Sequence, residues 1–66
     1  MLINEIDQFV KGCNILIIQT PTRLITRCDI DKLKNLPAKY QKLTVKDISF
    51  MESNPKIAVA LVDEFL

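Results

Sequence analysis

Few residues in this chain could do chemistry, and their spacing argues against most reactions. Asp29 and Asp31 flank Ile30. Two carboxylates can bind a divalent cation or exchange a proton. Here no histidine exists to join them, and no third acid or glycine-rich loop stands close by. They read as capping residues. The two cysteines, Cys13 and Cys28, stand alone. A structural zinc site takes four Cys, His or acidic ligands, so no metal is expected. The first residues lack the basic region of a secretion signal and carry Glu5 and Asp7 instead. A reducing, cytoplasmic setting follows as the expectation, with both thiols serving as small core residues. There is no phosphate-binding loop, no nucleophile elbow and no Cys/His arrangement. The chain therefore predicts no catalytic residues, no cofactor and no small-molecule substrate, hence a non-enzymatic protein.

Charge is the second source of chemistry. The net charge of +1 gives no global pull toward nucleic acid, a membrane or acidic substrates. It is unevenly placed, however. Residues 20–46 carry Arg23, Arg27, Lys32, Lys34, Lys39, Lys42 and Lys46 against only Asp29 and Asp31, and both ends of the chain are acidic. That basic stretch suggests one function, nucleic-acid binding. Its bland counterpart is a solvated face. Only Tyr40 offers a nearby ring for stacking, and lysine outnumbers arginine, which weakens base reading. The stretch from Leu43 to Ile57 has the flavour of a helix-turn-helix. Its would-be recognition helix displays Val59, Ala60 and Asp63, none of them suited to base edges.

The favoured function is protein binding. Phe50, Met51, Tyr40 and Phe65 are apolar or aromatic anchors of the kind enriched at interfaces. Asp63 and Glu64 lie near the end of the closing stretch, where they would face the basic middle segment of this chain or of a partner. The expected partner is another protein or a second copy of the chain, and the expected role is that of a small regulator, inhibitor or adaptor acting through an apolar helix face.

These residues need elements to position them. Sixty-six residues make one small domain, spanning 1–66, with 48% apolar residues. A chain this short buries only about 60% of its unfolded surface, so association would help to stabilise it. No apolar run approaches the roughly 20 residues of a membrane-spanning helix.

Leu2, Ile6, Phe9, Cys13 and Leu16 step by four and three, which predicts an amphipathic helix to about residue 18. The β-branched run Ile15-Leu16-Ile17-Ile18 after Gly12 supports a rival reading, a strand at 14–19 paired with 22–27. Thr20-Pro21 and Asn54-Pro55 each match a helix N-cap followed by proline at the first position. Thr44 and Asp47 fit a third start signal, with Leu43 and Ile48 as its staple. Leu33, Leu36, Tyr40 and Leu43 continue a helical stripe that Pro37 must break or kink. The resulting expectation is an all-α bundle of four to five short helices, with an α+β chain carrying one hairpin at about 14–27 as the alternative. The closing helix, from Pro55, would be apolar almost all round, with its terminal charges opposed to its dipole.

Overall fold

The computed structural model describes residues 1–63, and it is built on strands. Four strands form one mixed sheet: β1 (Ile15–Gln19), β2 (Leu24–Asp29), β3 (Val45–Met51) and β4 (Asn54–Val62). They stand in the order β2-β1-β4-β3. The two outer pairs, β1 with β2 and β3 with β4, are antiparallel, while the central strands β1 and β4 run parallel. The chain is thus two hairpins laid side by side. Residues 30–44 carry it from one edge of the sheet to the other, through a 3-10 segment (Ile30–Asn35) and the one-turn helix α1 (Ala38–Gln41).

This corrects the all-α expectation. The segment read as a helix to residue 18 holds only a 3-10 turn at Ile3–Glu5, then irregular turns, then β1. Residues 20–29 form a turn and β2. The helices expected from Thr44 and from Pro55 are β3 and β4, so the described residues hold no helix-turn-helix and no apolar helix face. The rival hairpin reading placed a strand at 14–19, where β1 lies. The partner strand, β2, runs later than 22–27.

The physical reason lies in the central strands. Ile15-Leu16-Ile17-Ile18 and Ile57-Ala58-Val59-Ala60-Leu61-Val62 are continuous apolar runs rich in β-branched residues. Such runs suit strands that are covered on both faces. A run without a gap fits a helical stripe and a strand equally well, so tertiary pairing decides. Gly12 has φ +89°, and it turns the chain into β1 where a side chain would be strained.

Burial alternates along the central strands. In β1, Leu16 and Ile18 are fully buried; in β4, Ala58, Ala60 and Val62 are. Opposed pairs share a face: Leu16 pairs with Ala58, Ile18 with Ala60, and Val45 with Val62. Ile3, Ile6 and Val10 from the first segment, with Leu33 and Leu43 from the crossover, complete this core. Alanine at 58 and 60 keeps the middle of the sheet low, leaving room for these larger side chains. The first segment does show a helix-like buried set, but it is Ile3, Ile6 and Val10. Phe9, from the stripe first read, is 59% exposed. The N-terminus also shields the outer edge of β3. Leu2 bridges Thr44, the Ile3 N–H donates to the Leu43 carbonyl at 3.2 Å, and the Val45 N–H donates to the Met1 carbonyl at 2.6 Å.

Candidate functional site: the open face of the sheet

The other face of the sheet has no covering layer among the described residues. Strand alternation puts Ile15 and Ile17 of β1 on it, beside Ile57, Val59 and Leu61 of β4. All five are half-buried, and none belongs to the core or packs against it. The register extends their rows outward. Arg27 of β2 lies beside Ile17, whose other neighbour Val59 lies beside Ser49 of β3. One row along are Leu24, which is exposed, then Gln19, Leu61 and Asp47. In the opposite direction Asp29 adjoins Ile15, which adjoins Ile57. The face is therefore an apolar centre with mixed margins: Arg27, Asp29 and the exposed Leu24 on the β2 side, and Ser49 and the Asp47 carboxylate on the β3 side.

The hairpin turns hold these rows in register. Thr20 is buried, at 4% exposure. Its hydroxyl oxygen accepts from the N–H groups of Thr22 at 3.3 Å and Arg23 at 3.1 Å, while its own N–H donates to the Arg23 carbonyl at 2.8 Å. The hydroxyl donor also reaches the Arg23 carbonyl at 3.3 Å. In the second hairpin the Asn54 Oδ1 accepts from the Lys56 N–H at 3.1 Å. The turn at Glu52-Ser53 contains no positive φ, so it is neither of the primed types that match strand twist. The register slips next to it, between Phe50 and Met51.

The residues singled out from the sequence are scattered by this fold. Phe50 and Met51 are 50% and 39% exposed at the end of β3. Phe50 pairs with Ala58, so it lies on the covered side of the sheet, at its margin. Tyr40 is half-buried in α1, with Lys39 Nζ 5.1 Å from its ring centre. Asp63 meets the basic stretch at Lys46, Oδ1 to Nζ 3.3 Å, with both side chains more than half exposed. Glu64 and Phe65 lie outside the described residues.

The basic residues do not form one surface. Arg27 is on the open face, Arg23 is in the first turn, and Lys46 sits at the register shift of β3. Lys34, Lys39 and Lys42 belong to the crossover on the covered side, and Lys32, from the same crossover, reaches round the β2 edge to line a depression with Ile15, Arg27 and Asp29. Lys32 Nζ is 3.9 Å from Asp29.

Asp29 and Asp31 do not cap by side chain: Asp29 precedes the 3-10 segment without a capping bond. Among the described residues no group of three or more acids and cysteines could hold a metal. Asp29 and Asp31 line an open depression of about 410 Å³ with Cys13, Asn14 and Ile30. Both thiols are free and half-buried, and Cys13 Sγ lies 3.7 Å from the Pro55 carbonyl. Burial, then the nearby Asp29 carboxylate, pushes the Cys28 thiol above its ordinary 9.0. A raised value means less thiolate and a poorer nucleophile.

Sequence reasoning passed over Ile15, Ile17, Ile57, Val59 and Leu61 as site residues. The available signal was that Ile15 and Ile17, like Ile57, Val59 and Leu61, are apolar on the second face of two adjacent strands, a run broken in β1 at Gln19. Among the described residues no helix is long and apolar enough to cross a membrane.

The described residues define a small α+β fold with one four-stranded sheet covered by them on one side. The chain matches no protein-family model, no curated protein and no solved structure.

Proposed function

We propose that this chain is a non-enzymatic protein-binding module whose contact surface is the open face of its sheet. One observation carries the reading. Ile15, Ile17, Ile57, Val59 and Leu61 form a contiguous apolar patch on two adjacent central strands, with no layer of the described chain over it. Contiguous exposed apolar patches rimmed by polar residues mark interaction sites. Arg27, Ser49 and Asp47 supply such a rim. The nucleic-acid alternative has weaker support, because its cations are divided between the two sides of the sheet and two of them already face carboxylates.

Photo-crosslinking tests the reading. A photoreactive residue placed at Val59 should yield adducts with a polypeptide. The same residue at Lys34, on the covered side, should yield none. Equal labelling at both positions, adducts that nuclease removes, or no adduct at Val59 would refute it.

A further inference from the structure

The pattern of charge on the open face specifies its occupant. We infer that a second copy of this chain packs on it, sheet against sheet, about a two-fold axis that lies between the sheets and runs parallel to the strands. The inference rests on the reading of this face as the interaction surface and deepens it.

A two-fold axis along the strands exchanges left and right while keeping height along the strand. It therefore carries the β2 margin of one copy over the β3 margin of the other. Arg27 shares its row with Ser49, and Asp47 stands one row on. That offset is two residues, or about 6.8 Å of strand. Sheets that pack face to face are about 10 Å apart and rotated by about 30°. An arginine side chain can span that gap and offset, so Arg27 of each copy meets Asp47 of the other. By symmetry the contact forms twice.

The other in-plane two-fold axis runs across the strands. It keeps β2 over β2 and β3 over β3, so centred on this row it would set Arg27 against Arg27. The charges thus select one symmetric arrangement over its alternative.

The intrachain pairing agrees with this. Asp29, the other charge on the β2 margin, already has Lys32 beside it. Neither Arg27 nor Asp47 has an ion-pair or side-chain hydrogen-bond partner among the described residues. These two charges are left over, with opposite signs, on opposite margins of an apolar face.

Area fits a weak dimer. Four strands at about 4.8 Å spacing and five residues at about 3.3 Å give a projected face of about 320 Å² per copy. Two copies give about 640 Å² in projection, and side-chain relief adds to that, which leaves the interface below the roughly 1,200 Å² of stable complexes and among the weak, transient ones. The expected dimer is reversible, with a dissociation constant in the micromolar range or weaker.

Sedimentation equilibrium on the full chain between about 10 µM and 1 mM tests it, with R27E, D47R and the double variant R27E/D47R. Both sites are exposed, and a far-ultraviolet circular dichroism spectrum checks that each variant is folded. The wild type should dimerise across this range. Each single reversal places like charges together at two symmetric positions and should weaken association about tenfold or more. The double variant should return to within about threefold of wild type, because the pair is restored with its signs exchanged. A wild type that stays monomeric to 1 mM overturns the inference. So does a dimer indifferent to both single reversals, or a double variant no better than the singles. If the wild type is monomeric while Val59 still cross-links to a different polypeptide, the second copy is refuted and the interaction face stands. If it is monomeric and Val59 yields no adduct, both fall.

Discussion

Thr20 fastens the first hairpin with a single buried oxygen that accepts two backbone N–H groups. Thr20→Ala should cost about 1–2 kcal/mol, the range seen when such side-chain acceptors are removed. Thr20→Ser should retain most of that stability, and urea unfolding of the two variants reads the difference. Cys28 gives a prediction in pH. Its thiol value is raised in the folded chain, so the folded state holds that proton more tightly than the unfolded one. Stability should therefore fall as pH climbs above about 9 and level off beyond the raised value. Cys28→Ser should remove that part of the alkaline loss in denaturant titrations at pH 8, 9 and 10. The exposed pair Lys46–Asp63 should contribute under about 1 kcal/mol in a double-mutant cycle and less as salt rises. At this scale the sequence was partly legible. Thr20-Pro21 and Asn54-Pro55 carry side-chain oxygens that satisfy backbone N–H groups two or three residues on, as an N-cap does. The bonds form, but they close turns, because the same local bond competes with a helix as readily as it starts one.

The elements divide the apolar residues into two classes that neighbour each other in sequence. Ile18 is fully buried against Ala60 and the covering layer, while Ile17, one residue earlier, lies on the open face. Ile18→Ala should cost about 2–5 kcal/mol. Ile17→Ala should cost clearly less at concentrations where the chain is monomeric. Thermal unfolding at low micromolar concentration makes the comparison, and equal losses would refute the alternation. These strands were hard to read because both their faces are apolar. A strand with one wet face announces itself by alternation; Ile15 to Ile18 and Ile57 to Val62 do not alternate, and a helical stripe passes through them as easily. The pairing that decides between the two joins Ile15–Gln19 to Ile57–Leu61. No local pattern carries information over that separation. Pro55 added to the difficulty: it sits in the opening residues of β4, beside a register shift, which is among the few places a strand admits proline.

The whole molecule couples these scales. Its covering layer is made of short 3-10 and α turns and the N-terminal segment, enough to bury one face of a four-stranded sheet. The central strands carry apolar side chains for two faces. A sheet with this composition suits a place between two layers, and in the proposed dimer a second copy would supply the missing one. The result would be a two-sheet sandwich with the covering layers outermost and Arg27 and Asp47 joined across its margins. The sequence did convey a surplus of apolar residues in the closing stretch; the strand geometry moves that surplus from a helix to Ile57, Val59 and Leu61, and adds Ile15 and Ile17 beside them. The most direct measurement is a dilution series of methyl-resolved NMR spectra on the wild-type chain. The account predicts that resonances of Ile15, Ile17, Ile57, Val59 and Leu61 shift with concentration while those of Leu16, Ile18 and Val62 stay fixed. Spectra unchanged at every concentration, or shifts confined to the covering layer around Leu33 and Tyr40, would contradict it.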